Sequence, residues 1–190
     1  MHASRTLAVI VIVAGGLVLA GCGSSSKSGS PGATTPTSQA GGHVAKPVSA
    51  NPSVSAQMVC GDEVKNETYG LLGVQITKPL KPTWIDDVYS CKYVYKNGTM
   101  TLSVKELANK TETDAYFASL AQKLHKVKDV ASLGQGAFKT RNDSAVVRKD
   151  YKVLTVDVSG LPPQFGNPLN PRDNVALSVA SEIMGCWTGA

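Results

Sequence analysis

The sequence is poor in aromatic residues (6%) and in charge (17%), and it holds only three histidines and four cysteines in 190 residues. Each shortage removes a class of function. The length allows one modest globular domain beside something that is not globular, and excludes two large ones. Net charge is +5, but Arg5, Lys27 and Lys46 precede Ala56, so the remainder keeps 16 basic residues against 14 acidic ones. No segment carries the dense Lys/Arg stripe that neutralises phosphates, so no nucleic-acid partner is expected. There is no Gly-x-Ser-x-Gly and no Cys-x-x-C. The one histidine after Ala56 is His125, set among Lys123, Lys126 and Lys128, and that neighbourhood reads as a solvated helix end rather than a general base. No Cys, His and acid ligands cluster at zinc spacing, so no metal is expected. Gly134-Gln135-Gly136 is too short for a phosphate loop, and Asp86-Asp87 reads as turn chemistry rather than a glycosidase pair. The sequence therefore predicts no catalytic residue and no cofactor.

What is present is concentrated at the two ends of the chain's composition. Thr6 to Ala20 is an uncharged apolar run behind Arg5. A spanning helix needs about 20 apolar residues, so this run has the length of a signal-peptide core. It ends in Leu19-Ala20-Gly21-Cys22. Small residues before a cysteine suit a signal peptidase that cuts between Gly21 and Cys22, and the thiol of Cys22 can take a diacylglyceryl group. Residues 1–21 are read as a lipoprotein signal peptide and Cys22 as the lipidated first residue of the mature chain. The two or three acyl chains on such a cysteine hold a protein stably at a membrane that it does not cross. Gly23 to Ser55, rich in Ser, Gly, Pro and Thr, has almost nothing to bury and is predicted to be a disordered tether. Its root-mean-square reach is about 30 Å. Residues 56–190 are left as a single domain. The sequons at Asn66, Asn97, Asn109 and Asn142 are discounted, because a lipidated bacterial chain does not have the sequon read on its own.

Within that domain, Tyr89 to Glu106 reads as a hairpin around Asn97-Gly98, the pair preferred in a two-residue type I′ turn. That turn would pair Tyr95 with Met100, Tyr93 with Leu102 and Cys91 with Val104, placing Cys91 in the core and Lys, Thr and Ser on the other face. Gly61 to Leu72 has helical spacing and a Gly73 stop. Thr111-Glu-Thr-Asp114 resembles a capping box before Tyr116, Phe117, Leu120, Ala121 and Leu124. Asn170 before Pro171 predicts a third helix with Ala176, Val179, Ala180, Ile183 and Trp187 inward. Ala137 to Arg141, Ser144 to Lys149 and Lys152 to Ser159 read as strands, followed by a long loop to Asn170. The order α-β-β-α-β-β-β-α predicts an α+β sandwich, an antiparallel sheet of about five strands packed with three helices.

A lipobox, a polar tether, Val59-Cys60-Gly61-Asp62 opening a helix, Ser90-Cys91-Lys92-Tyr93 in a hairpin, a Leu133-Gly134-Gln135-Gly136-Ala137 turn and a final helix together resemble the small surface lipoproteins of actinobacteria. Some of that group are similar in fold to the PsbP and Mog1 α/β/α sandwich. The resemblance implies a fold and no activity. Three cysteines beyond Cys22 in an oxidising compartment predict one disulfide; Cys60 with Cys91 is the first pairing and Cys60 with Cys186 the second. Lys139, Arg141, Arg148, Lys149 and Lys152 fall on the second set of strands, either as charged edges or as an anion-facing patch. The expectation is a lipid-anchored protein on the outer face of the bacterial cytoplasmic membrane, a noncatalytic module binding a lipid, another amphiphile or an envelope protein. The alternative is an envelope hydrolase or thiol-dependent enzyme built on His125 or Cys186.

Overall fold

The computed structural model describes residues 48–187. The signal peptide, Gly21, the lipidation site Cys22 and most of the tether lie outside the described residues. Among those described, no helix is long and apolar enough to cross a membrane.

The chain opens with a short helix α1 (Val54–Gln57) and a 3₁₀ turn (Met58–Cys60), then α2 (Asp62–Leu72). Three strands follow, β1 (Thr83–Ile85), β2 (Val88–Tyr95) and β3 (Gly98–Glu106), and then α3 (Lys110–Lys123). Four more strands, β4 (Lys126–Val130), β5 (Gly136–Thr140), β6 (Ala145–Lys149) and β7 (Lys152–Asp157), precede a two-residue pair, β8 (Gln164–Phe165) and β9 (Asn170–Pro171). Helix α4 (Arg172–Cys186) ends the fold. The seven long strands form one antiparallel sheet in the order β1-β2-β3-β7-β6-β5-β4. Two meanders are thus joined where β3 meets β7. The class is α+β, as the element order predicts, with more strands than the five expected.

Period-2 alternation gives the sheet two unlike faces. Tyr93, Met100, Leu102, Val104, Val147, Leu154 and Val156 line one, buried against Val59, Val64 and Leu72 and against Val175, Val179 and Ile183 of α4. On the other face Phe138, Val146 and Val153 pack under Tyr116, Phe117 and Leu120 of α3. All seven strands of the main sheet pair within residues 48–187, and both hydrophobic clusters lie there, in one compact unit.

Several local readings shift. The hairpin pairs Tyr95 with Gly98, Tyr93 with Met100 and Cys91 with Leu102, so its turn is Lys96-Asn97. The slip is two residues, which leaves every side chain on its expected face. Gly98 is needed elsewhere: a Cβ there would come within 2.6 Å of the Gly160 carbonyl, to which Thr99 N–H donates at 2.9 Å. The turns with two left-handed residues are Asp86-Asp87 (φ 50° and 56°) and Asp150-Tyr151 (φ 50° and 59°). Helix α3 is capped by Asn109, not Thr111: its side chain accepts from Glu112 N–H at 2.9 Å, and Glu112 reaches back to Ala108 N–H at 3.3 Å. Asn170 and Pro171 pair with β8, and α4 starts at Arg172 without a side-chain cap. Residues 53–55, assigned by composition to the tether, take part in α1 and its cap; Ser53 donates its N–H (3.0 Å) and its hydroxyl to the buried Glu106 carboxylate.

Candidate functional site

Gly73 caps α2 in the left-handed conformation (φ 63°), and a Cβ there would lie 2.3 Å from the Asn167 carbonyl. Glycine lets the chain reverse in a space where no side chain fits. The chain then returns beside β2, where Thr77 N–H donates to the Val94 carbonyl at 2.7 Å. Helix, returning loop and strand do not close on one another. They leave a cavity of about 250 Å³ that opens to solvent. Thr68 of α2 and Tyr93 and Tyr95 of β2 are its buried lining, Lys65, Val74 and Ile76 are half-buried, and Asn66, Tyr69 and Gln75 are exposed.

The two tyrosines are in different states. Tyr93 Oη donates to the Val59 carbonyl at 2.8 Å. Tyr95 is 4% exposed, its ring meets Phe165 edge-on at 4.9 Å, and its buried hydroxyl has no hydrogen-bond partner among the described residues. Burial pushes both phenols far above their ordinary value, so both stay neutral donors across the physiological range. Among the described residues Lys65 is the one charged side chain lining the cavity, and its ammonium pairs with Asp62 one helical turn back, holding that carboxyl below its usual range.

Cys60 and Cys91 form the disulfide, with Cα atoms 5.8 Å apart, and so join the 3₁₀ turn to the strand that carries both tyrosines. The five basic residues of the conjectured patch are not brought onto one surface. Lys139 pairs with Asp173 of α4 under one face. Arg148 pairs with Asp114 of α3 over the other and stacks 5.4 Å from the Phe117 ring. Lys149 donates to the Trp187 carbonyl at 2.6 Å, and Lys152 is buried. Of the five, Arg141 alone is exposed. His125 is exposed at the end of α3 with φ 53°, its carbonyl held by Arg141 N–H at 3.0 Å.

Cys186 Sγ donates to Glu67 Oε1 at 3.5 Å. Burial, and then Glu182 and Glu63, raise the Glu67 carboxyl against the lowering effect of that thiol. Glu63, Glu67 and Cys186 can bring one ligand atom each within 4.8 Å of the others, a set able in principle to hold a cation. Sequence spacing did not show it, because the fold alone brings α2 and α4 together. A second, shallower depression of about 390 Å³ lies by Leu133, Lys149 and Met184. Comparison of the chain with known protein families, with curated proteins and with solved structures gives no match.

Proposed function

We propose that this chain is a lipid-anchored protein of the bacterial cell envelope, held on the outer face of the cytoplasmic membrane through Cys22, whose domain binds a small amphiphile without catalysis. The leader, the small residues before Cys22 and the polar tether support the anchor. The cavity beside β2 carries the binding reading. It sets Val74, Ile76 and three tyrosines beside Asn66, Thr68 and Gln75, with Lys65 as the cation among its described lining residues. Apolar and polar side chains meeting in one concave site suit a ligand with both kinds of surface. A thiol-enzyme reading is less well supported. Cys186 donates to a carboxylate, whereas a nucleophilic cysteine needs a neighbourhood that favours its thiolate.

Two measurements test the proposal. Residues 48–190, exported through an oxidising compartment and weighed by native and denaturing mass spectrometry, should show a discrete excess in the native mass that Val74→Trp abolishes. Equal masses for the wild-type chain, together with no shift in its unfolding temperature on adding octanoate or octan-1-ol, would overturn the binding reading. The anchor is tested in cells of the source organism, where Cys22→Ser should move the protein from the membrane fraction to the soluble one. Retention at the membrane would refute it.

A further inference from the structure

Resting on the anchor proposed above, we infer that the sheet edge at β4 is a docking surface for anionic phospholipid, which fixes how the tethered domain lies on its membrane. The conjectured patch on the second set of strands is dispersed, but the fold assembles a different one. β4 is the last strand of the sheet. His125, Lys126, Val127 and Lys128 run consecutively into it, all exposed. Lys123 stands in the last turn of α3 just before them, and Arg141 is brought alongside by its N–H bond to the His125 carbonyl. Counter-charge is sparse there. Asp129 pairs with Lys126 at 2.6 Å, and Asp143, close to Arg141 in sequence, is taken by Arg172 at 2.7 Å. Among the described residues Lys123, Lys128 and Arg141 pair with no carboxylate.

Edge lysines alone would only discourage strand pairing. Two observations go beyond that. The patch draws cations from a helix and a turn as well as from the strand, whereas β1, the opposite edge, carries no charge. Val127, 59% exposed, sits between two lysines, and apolar surface flanked by cations is what a lipid interface takes up. Each cation near an anionic membrane is worth about a factor of five, so three give about a hundredfold. That is enough to orient a domain already held by acyl chains and too little to retain it alone. The chain enters at the other edge, where Trp84 Nε1 donates to the Ala50 carbonyl at 3.1 Å. The residues between Cys22 and Ala50 can extend to about 90 Å, far more than the roughly 29 Å from β1 to β4. With β4 against the lipid, β2 and its cavity stand roughly 24 Å away across the sheet.

The test uses the mature chain, residues 22–190, with Cys22→Ser, so that docking is read without acyl chains. Lysine acetylation is followed by mass spectrometry in the presence of vesicles at millimolar lipid. Vesicles of half phosphatidylglycerol should slow acetylation of Lys126 and Lys128 about threefold relative to phosphatidylcholine vesicles, and leave the exposed Lys78, Lys81 and Lys92 unchanged. About 0.5 M sodium chloride should remove the contrast, because the Debye length then falls to a few ångströms. Arg141→Gln should weaken the vesicle affinity about fivefold with an unchanged circular dichroism spectrum. Equal rates with the two lipids, or equal slowing at every lysine, would overturn the docking edge. Slowing by dextran sulfate but not by vesicles would give the edge to a soluble polyanion and refute the lipid assignment. Neither result touches the anchor, which the fractionation of Cys22→Ser in cells decides separately.

Discussion

Tyr93 and Tyr95 stand on one face of β2, similarly buried, and differ by one hydrogen bond. That difference separates two otherwise identical substitutions. Tyr93→Phe removes the donor to the Val59 carbonyl and should cost about 1–2 kcal/mol in urea unfolding. Tyr95→Phe removes a hydroxyl that has nothing to lose and should leave stability equal or raise it by up to about 1 kcal/mol. A comparable loss from both would mean that Tyr95 has a partner after all. At Asp173 the hydrogen bond from Lys139 holds the carboxyl below its ordinary 3.8. A depressed folded value makes stability fully present above the unfolded pKa and lost as pH falls through the folded one. Lys139→Met should therefore lower stability most near neutrality, by a difference that shrinks as pH falls below 3.8 and through the folded pKa, which urea midpoints across pH 2–7 would show.

At the scale of elements, glycines and caps decide more than propensity does. Gly98→Ala should destabilise by roughly 1–3 kcal/mol, since its Cβ would meet a backbone oxygen that cannot step aside. Asn109→Ala should cost about 1 kcal/mol by thermal unfolding through loss of the α3 cap, and Thr111→Ala much less. These positions also show where the sequence was legible. Periodicity was enough for α2, α3 and α4 and for the inward residues of β2, β3, β5, β6 and β7, because each has one apolar face. It placed Asn97-Gly98 at the turn because local turn preference cannot see the Gly160 carbonyl across the sheet. It passed over β4, whose residues Lys126 to Asp129 are exposed, so no apolar face marks the strand. It passed over β1 because three residues set no period. The cavity was half legible: Tyr93 and Tyr95 read correctly as an inward face, while their meeting with Lys65 and Val74 depends on how the chain turns back after Gly73.

For the molecule as a whole, the sheet ends on two strands that resist further pairing. β1 is short, and β4 carries lysines and a register shift between Lys126 and Lys128. The disulfide acts at the same scale. It closes a loop of sequence separation 31, and on the chain-entropy account its removal by Cys60→Ser with Cys91→Ala should cost roughly 3–4 kcal/mol in guanidinium unfolding. The wild-type protein should show the same loss in reductant, and the double variant no response to reductant at all. The cross-link also has a mechanical meaning for a chain fastened at one end, as proposed. Tension applied ahead of Cys60 and resisted anywhere beyond Cys91 passes from sulfur to sulfur and skips the residues between them. Helix α2, Val74 and Ile76 all lie in that bypassed stretch. A pull on the proposed anchor would therefore load the chain before Cys60 and the strand that carries Tyr93 and Tyr95, and leave the helix and loop sides of the cavity unloaded.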